Sequence, residues 1–217
     1  MDFDFAQARE HMVEQQVRPW DVLDPRVLAV LAELPREAFV PAHLRTLAYA
    51  DLMLPLAHGE VMMKPVQEGR ALQALLPQAG ESVLEIGTGS GYLTACLARL
   101  AREVVSLERH PDLAEAAAAR LAEQAVTNAR VVAADAFAWQ ADGAFDLICV
   151  TGAVAQVPAG FLHWLRPGGR LFVVHGQAPA MQASLLQREV NGLRETPLFE
   201  TELPYLAGAE PRPRFTF

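Results

Sequence analysis

The stretch that decides the fold of this chain is Val83-Leu84-Glu85-Ile86-Gly87-Thr88-Gly89-Ser90-Gly91-Tyr92. Its first residues form a short apolar run bounded by glycine, which is typical of a buried parallel strand and too short for a helix. The three glycines allow a tight turn and a close approach of the backbone to a ligand, because no Cβ intervenes. A helical pattern follows over residues 92–101, so the N–H groups at its start point over the loop.

Such a loop binds nucleotide-like ligands, and two kinds of ligand compete. Dinucleotide-binding folds use G-x-G-x-x-G, whose third glycine comes one residue later than here. The form G-x-G-x-G preceded by Glu85 resembles motif I of the class I S-adenosylmethionine methyltransferases. In that class the amino-acid end of the ligand lies over the glycine loop, and an acidic group nearby suits its ammonium. A strand-to-helix turn that binds no ligand is the third interpretation.

The composition limits the class of protein. The chain has 217 residues, of which 52% are hydrophobic and 20% charged, with a formal net charge of −8. That length is enough for one domain with a sizeable core. The acidic balance argues against a nucleic-acid surface, which would be basic. Cys96 and Cys149 fall inside predicted core elements, which suggests reduced thiols. The N-terminus lacks a basic leader, and no apolar run approaches the ~20 residues of a membrane span, so we expect a cytoplasmic protein without a membrane partner.

Helices and a long loop precede the glycine-rich stretch. Residues 6–18 predict a helix that Pro19 ends. Asp24 and Pro25 open a second helix, the first as its cap and the second in its first turn. The segment 39–65 is rich in proline, and long irregular segments in compact domains tend to be functional. A helix over residues 66–76 then leads into the strand.

After the glycine loop, strand and helix patterns alternate. The predicted strands cover 104–108, 130–135, 145–151 and 170–175. The predicted helices cover 111–124 and 161–165, and a turn is predicted at 166–169. This alternation indicates an α/β fold with a doubly wound, mostly parallel, Rossmann-like sheet. Asn191-Gly192 predicts a C-terminal antiparallel hairpin that finishes the sheet.

Acidic and small residues end these strands. In an open parallel sheet, ligands bind beyond the carboxyl ends of the strands. Glu108 ends the predicted strand 104–108, where a carboxylate can accept both ribose hydroxyls. Asp135 ends the predicted strand 130–135, where it can accept from an adenine amino group, and Thr151 ends the predicted strand 145–151. Each could be a solvated strand end, but together they favour S-adenosylmethionine over a nicotinamide dinucleotide.

Several segments resemble one methyltransferase family, the protein-L-isoaspartate O-methyltransferases, over nearly the whole chain. The cofactor motifs that match are residues 85–92 and Ser106-Leu107-Glu108-Arg109. Other segments are similar to this family rather than to methyltransferases in general. They are Met12-Val13-Glu14-Gln15-Gln16-Val17-Arg18, Pro35-Arg36-Glu37-Ala38-Phe39-Val40-Pro41, and Ala48-Tyr49-Ala50-Asp51 followed by Leu54-Pro55-Leu56.

The resemblance implies an S-adenosyl-L-methionine-dependent O-methyltransferase, with S-adenosyl-L-homocysteine as product and no metal. Its reaction would be carboxyl methylation of L-isoaspartyl residues in damaged proteins, so its partner would be a protein or peptide that bears isoaspartate. We expect one methyltransferase domain over 1–217, with N-terminal helices and acceptor loop in 1–80, cofactor-binding core in 81–176 and antiparallel sheet end in 177–217. The predicted cofactor-binding residues are Glu85, Gly87, Thr88, Gly89, Ser90, Gly91, Glu108, Arg109, Asp135, Ala136 and Thr151.

Two segments depart from the family pattern. Val61-Met62-Met63-Lys64-Pro65 stands where the family has Thr-Ile-Ser-Gln-Pro, so both hydroxyls are lost. Ala134-Asp135-Ala136 stands where the family has Gly-Asp-Gly, which keeps the acid. We expect the first segment to line the methyl-acceptor pocket, with Met63 and Lys64 as its candidate residues. Burying a carboxylate without partners is costly, so we expect weak methylation of isoaspartyl peptides.

Three functions follow from the sequence. The first is repair methylation of isoaspartyl residues, and the second is methyl transfer to another small-molecule acceptor. The third is a non-catalytic relative that binds the cofactor. A carboxylate with a pKa near ~4 is already ionised at neutral pH, so the reaction requires little beyond positioning and a dry site. His43, His58 and His175 are candidates for substrate contact.

Overall fold

The computed structural model describes residues 3–211, which form a seven-stranded sheet covered by helices on both faces. The helices are α1 (Phe5–His11), α2 (Pro25–Glu33), α3 (Pro65–Leu75), α4 (Tyr92–Leu100), α5 (Pro111–Glu123) and α6 (Ala159–His163). Two short strands precede the sheet, β1 (Leu54–Pro55) and β2 (Val61–Met62). The strands of the sheet are β3 (Ser82–Ile86), β4 (Glu103–Glu108), β5 (Ala129–Ala133), β6 (Phe145–Val154), β7 (Leu165–Gln177), β8 (Ala180–Glu189) and β9 (Gly192–Glu200).

The order of the strands across the sheet is β5-β4-β3-β6-β7-β8-β9. The first five strands in this order are parallel to their neighbours, and β8 and β9 add antiparallel pairs. The predicted α/β class, the mostly parallel sheet and the C-terminal hairpin are therefore confirmed. Ile86 at the end of β3 lies opposite Leu107 of β4 and Val150 of β6. This register brings the carboxyl ends of the three strands to one edge.

The central strand β3 is buried along its whole length because helices cover both faces of the sheet. Val83 faces one core together with residues of α2, α3 and α4. Leu84 and Ile86 face the second core, which contains Phe161 of α6. Successive side chains of a strand point to opposite faces, so the apolar residues of β3 contribute to both cores. The apolar run in the sequence is thus explained by double-sided burial.

The N-terminal helical region differs from the prediction. Residues 6–18 were expected to form one helix ended by Pro19, but α1 ends at His11 and continues as a π-helical turn over Met12–Val17. Pro19 lies inside a 3₁₀ turn, Arg18–Trp20, because a first turn needs no proline N–H. The cap of the next helix is as predicted, since the Asp24 carboxylate accepts from the Arg26 N–H.

Two predicted boundaries in the sheet are also different. The predicted strand 145–151 extends as β6 to Val154. The turn predicted at 166–169 lies within β7 instead. There the pairing jumps from Phe145–Leu165 to Leu147–Arg170, and Gly168 has a φ of +80°. The glycine-rich segment is therefore an irregular start of the strand.

The chain after β9 returns across the sheet edge. The Ala153 N–H of β6 donates to the Pro204 carbonyl, and the Ala153 carbonyl accepts from the Leu206 N–H, both at 2.8 Å. This return brings residues 204–207 to the carboxyl ends of the parallel strands. Within residues 3–211, no helix is both long and apolar enough to cross a membrane.

Arg36 joins the N-terminal helices to the long loop and to α3. Its side chain is fully buried, and its guanidinium pairs with both carboxylate oxygens of Glu68 at 3.0 and 3.2 Å. It also donates to the carbonyl oxygens of Ala48 and Met63, each at 2.6 Å. Burial raises the pKa of the Glu68 carboxyl, and the adjacent Arg36 guanidinium opposes that rise. The pair thus fixes three separate segments at one buried point.

We expect Arg36→Ala to lower the free energy of unfolding by about 3–5 kcal/mol, because it leaves the Glu68 carboxylate buried without a partner. Urea denaturation measures this loss. Arg18→Ala is the matched control, since Arg18 pairs with Glu14 on the surface at 2.8 Å and an exposed pair contributes about 0–1 kcal/mol. Equal losses in the two variants would contradict a structural role for the buried pair.

Candidate cofactor-binding site

A cleft of about 730 Å³, which includes its part open to solvent, lies at the carboxyl ends of β3, β4 and β6. A smaller pocket adjoins it beneath the glycine loop and shares Val61, Gly87, Gly89 and Thr151 with it. The structure brings most of the predicted cofactor-binding residues to these two spaces. The predicted residues that line the cleft are Gly87, Gly89, Glu108, Arg109, Asp135, Ala136 and Thr151. Those that line the smaller pocket include Glu85, Thr88 and Ser90.

The three glycines of the loop have different roles, although all have positive φ. A Cβ on Gly87 would lie 2.3 Å from Oγ1 of Thr151, so this position requires glycine for packing within the protein. A Cβ on Gly91 would lie 3.2 Å from the Cβ of Ala117, and Gly91 lines neither space. Gly89 presents its backbone to both spaces, while Gly91 allows α5 to approach.

The Glu108 carboxylate is nearly buried and fixes the glycine loop. Its Oε2 accepts from the Gly89 N–H at 2.8 Å, and its Oε1 accepts from the His110 N–H at 3.0 Å. Each carboxylate oxygen can accept more than one hydrogen bond. Glu108 can therefore hold the loop in place and still accept from hydroxyl groups of a ligand in the cleft.

Glu85 lies under the loop rather than at the open edge of the sheet. It is fully buried, and its Oε2 accepts from the Ser106 hydroxyl at 2.6 Å and from the Thr94 hydroxyl. Its Oε1 is buried and has no hydrogen-bond partner among residues 3–211. Burial raises the pKa of Glu85 to about 7, although the two hydroxyls oppose the rise. A cationic group in the smaller pocket would supply the partner that Oε1 lacks.

Asp135 lies two residues beyond the end of β5, because that strand is shorter than predicted. Its carboxylate accepts from the Phe137 N–H at 2.9 Å, which forms a tight turn at the cleft wall. The Ala136 methyl group, which replaces a family glycine, lines the same wall without closing it. Phe137 is 44% exposed and gives the wall an apolar surface suited to a planar base.

Sequence reasoning missed part of the cleft lining. Glu60 and Phe137 line it, as do residues 204–207 of the returning chain. A Cβ on Gly152 would lie 2.8 Å from Cδ2 of Leu206, so this segment packs directly on β6. The position of Phe137 near Asp135 could have indicated its role, because an aromatic residue close to a strand end can pack against a planar nucleobase. Residues 204–207 carry no motif that indicates their position.

The residues of the candidate acceptor segment differ in whether they line the two spaces. Val61 lines both spaces, and Met62 and Met63 line the smaller pocket. Lys64 lines neither space, and its backbone N–H donates to the Gln67 side chain at 3.1 Å. Lys64 is therefore not positioned to balance a buried acceptor carboxylate in this arrangement.

The three candidate histidines lie outside both linings. His175 Nε2 lies 2.8 Å from Oε1 of Glu195, at the antiparallel end of the sheet. His43 is exposed on a 3₁₀ turn. His58 lies at the rim, where it contacts Asp112. None of the three is placed to contact a ligand in the cleft directly.

The charges of the site fit S-adenosylmethionine better than a dinucleotide. Among the described residues, the two spaces are lined by one guanidinium, Arg109, and by the carboxyl groups of Glu60, Glu68, Glu85, Glu108 and Asp135. A sulfonium and an ammonium are attracted to such a lining, whereas the pyrophosphate of a dinucleotide is repelled by it. Within residues 3–211, no group of three His, Cys, Asp or Glu side chains is arranged to hold a metal ion.

An open parallel sheet with a glycine loop and an acidic cleft at its carboxyl edge defines a class of protein that binds a nucleoside-containing cofactor. The sequence pattern of protein-L-isoaspartate(D-aspartate) O-methyltransferases matches residues 7–201. The chain therefore belongs to the protein-L-isoaspartate(D-aspartate) O-methyltransferase family.

Individual relatives agree with this assignment. Over 209 residues the chain is 38% identical to protein-L-isoaspartate O-methyltransferase 1 of Rhodopseudomonas palustris (strain HaA2). The aligned region covers 95% of this chain and 85% of that protein. Over 177 residues it is 43% identical to protein-L-isoaspartate O-methyltransferase of Anaeromyxobacter dehalogenans (strain 2CP-C). This aligned region covers 80% of this chain and 85% of that protein. The fold is similar to a Plasmodium falciparum structure described as a protein-L-isoaspartate O-methyltransferase in complex with S-adenosyl-L-homocysteine. The TM-score is 0.79 at 18% identity, covering 94% of this chain and 99% of the other.

We expect Glu108→Ala to weaken binding of S-adenosylmethionine by about 1–3 kcal/mol, because ribose hydroxyls and the Gly89 N–H lose a charged acceptor. Isothermal titration calorimetry measures the change. Glu103→Ala is the control, since Glu103 begins the same strand and is exposed. Unchanged affinity in the Glu108 variant would show that the ribose lies elsewhere.

The raised pKa of Glu85 predicts a dependence of stability on pH. A carboxyl whose pKa rises from 4.5 in the unfolded chain to about 7 in the folded protein favours the folded state at low pH, and this contribution is lost as the pH rises through 7. Glu85→Gln should therefore become more stable relative to the wild type by about 3 kcal/mol between pH 4.5 and pH 8. Urea denaturation across this range measures the difference, and a constant difference would contradict the assigned pKa.

Proposed function

We propose that this protein transfers the methyl group of S-adenosyl-L-methionine to the side-chain carboxylate of L-isoaspartyl residues in damaged proteins or peptides. The observation that carries the proposal is the acidic cleft at the strand ends, in a chain that belongs to the protein-L-isoaspartate(D-aspartate) O-methyltransferase family. The products are the methyl ester and S-adenosyl-L-homocysteine. Repair of isoaspartyl damage is the function that this reaction would serve.

We assign the cofactor contacts by the chemistry of each wall. Glu108 accepts from the ribose hydroxyls, and its bonds to the loop support that role. Asp135 and Ala136 border the adenine, with Phe137 as an apolar wall. The amino-acid end of the cofactor lies at the loop, where Oε1 of Glu85, which has no hydrogen-bond partner among residues 3–211, suits an ammonium. Thr88, Ser90, Arg109 and Thr151 complete the proposed set of contacts, with Gly87, Gly89 and Gly91 shaping the loop.

We assign the parts of the chain accordingly. One methyltransferase domain comprises the N-terminal helices and acceptor loop (1–80), the cofactor-binding core (81–176) and the antiparallel end of the sheet (177–217). The lining of the cleft by residues 204–207 supports a contribution of the last part to the site.

The chain's own residues perform positioning rather than acid–base chemistry. The cofactor, when bound, supplies a methyl group already activated by its sulfonium. The acceptor carboxylate is ionised at neutral pH, so no residue needs to remove a proton. Val61, Met62 and Met63 form an apolar wall that excludes water from the reacting groups. In-line alignment in such a dry site supplies most of the acceleration.

Methyl transfer to a neutral small-molecule acceptor is the second candidate function. It is favoured by Val61 and Met63, which offer no hydrogen bond to an acceptor carboxylate, and by Lys64, which lines neither space. An uncharged acceptor would not suffer the cost of burying an unpaired charge.

The test of the proposed function is transfer of labelled methyl from S-adenosylmethionine to an isoaspartyl peptide, beside the same peptide with ordinary aspartate. We expect label in the isoaspartyl peptide alone. Binding of the cofactor without transfer to either peptide would contradict the proposed acceptor and favour the second candidate.

Restoring the family hydroxyls should raise the activity. We expect Val61→Thr combined with Met63→Ser to increase kcat/KM for the isoaspartyl peptide about tenfold, since hydrogen bonds to a charged group are worth about 1.5–3 kcal/mol. Leu52→Thr is the control, because Leu52 is 49% exposed and lines neither space. A double variant no more active than the wild type would contradict the assignment of this segment to the acceptor.

A further inference from the structure

The hairpin formed by β1 and β2 lies across the glycine loop. Leu54 pairs with Met62 at its base, and both side chains are buried in the core. Between these residues, Cδ1 of Leu56 approaches the Cβ position of Gly89 to 3.3 Å. Glu60 contributes to the lining of the cofactor cleft. The hairpin is therefore anchored at its base, and its far end forms part of the cleft wall.

The tip of the hairpin is a tight turn. The Leu56 N–H donates to the Glu60 carbonyl at 2.8 Å, and the Glu60 N–H donates to the Ala57 carbonyl at 3.1 Å. His58 and Gly59 both have positive φ, at +61° and +78°. This turn holds the His58 ring out from the hairpin, toward the start of α5.

The tip contacts the start of α5 through two histidines. The rings of His58 and His110 are stacked, with centroids 4.1 Å apart and planes 5° apart. His58 Nε2 lies 2.9 Å from both carboxylate oxygens of Asp112, and His110 Nε2 lies 3.5 Å from Oε1 of Glu60. Each segment thus gives one histidine and one carboxylate to a reciprocal contact.

This contact differs from the buried ion pairs of the core. The His58 and Asp112 side chains are 42% and 62% exposed, so water can replace their contact at little cost. His110 is joined to the cofactor site, because its backbone N–H donates to Glu108 Oε1. A weak contact at the tip and a buried base are the features of an element that opens at one end.

We propose that the stacked pair His58–His110 is a latch that holds the β1–β2 hairpin over the cofactor cleft, and that this latch opens when the cofactor binds and when the product leaves. The proposal rests on the proposed function only in placing S-adenosylmethionine and its product in this cleft. Glu60 moves with the hairpin, so opening removes one acidic wall from the site.

The two rate constants of binding distinguish a latch from an ordinary ligand contact. Loss of a latch speeds both association and dissociation, because the hairpin is open for a larger fraction of time. Loss of a ligand contact speeds dissociation alone. Surface plasmon resonance on the immobilised 217-residue chain measures both constants with S-adenosylhomocysteine as the probe.

We expect His58→Ala to raise both rate constants about tenfold, as loss of one ring stack and one exposed ion pair predicts, with Kd changed less than about threefold. His58→Phe keeps the stack and removes the contact with Asp112, so its rate constants should lie between those of His58→Ala and the wild type. His11→Ala, an exposed histidine on α1, is the control. Circular dichroism confirms that each variant is folded, and Asp112→Asn tests the same contact from the helix side.

Each result bears on the proposal. Unchanged rate constants in folded His58→Ala and Asp112→Asn would overturn the latch, and so would faster dissociation with unchanged association. Wild-type protein that does not bind the probe would overturn the proposed cofactor, and the latch with it. Wild-type binding without effects of the variants would overturn the latch alone.

Discussion

The buried ion pair between Arg36 and Glu68 is the contact on which the arrangement of the site depends. A charge inside a protein is tolerated only when it is paired and its remaining hydrogen bonds are made. Arg36 meets that condition by using the Met63 and Ala48 carbonyl oxygens as well as Glu68. The loop that carries the proposed acceptor segment is therefore fixed at a buried point, and Glu68 is held where it lines the smaller pocket.

The cofactor side of the site depends on the register of the parallel strands. Ile86, Leu107 and Val150 are paired, so the segments that follow β3, β4 and β6 all leave the sheet at one edge. Glu108 then fixes the glycine loop through the Gly89 N–H. The two sides of the site thus have different physical origins: backbone pairing sets the proposed cofactor wall, and one buried guanidinium sets the proposed acceptor wall.

Features with a local signal could be predicted from the sequence. The buried strand, the glycine loop and the Asn191-Gly192 hairpin are encoded by neighbouring residues, and the position of Glu108 follows from strand alternation. The burial of Arg36 could not be predicted, because its partners lie on segments distant in sequence. The return of residues 204–207 to the cleft and the contact of His58 with His110 likewise depend on the completed fold. The orientation of Glu85 beneath the loop was missed because its hydroxyl partners lie on α4 and β4.

The central claim is that an acidic cleft at the ends of β3, β4 and β6 holds S-adenosylmethionine in one orientation. A crystal structure of the protein with S-adenosylhomocysteine tests this claim most directly. We predict the ribose hydroxyls within hydrogen-bond distance of the Glu108 carboxylate, the adenine beside Asp135 and Phe137, and the ammonium beside Glu85. A ligand bound with its ribose away from Glu108, or outside this cleft, would contradict the account.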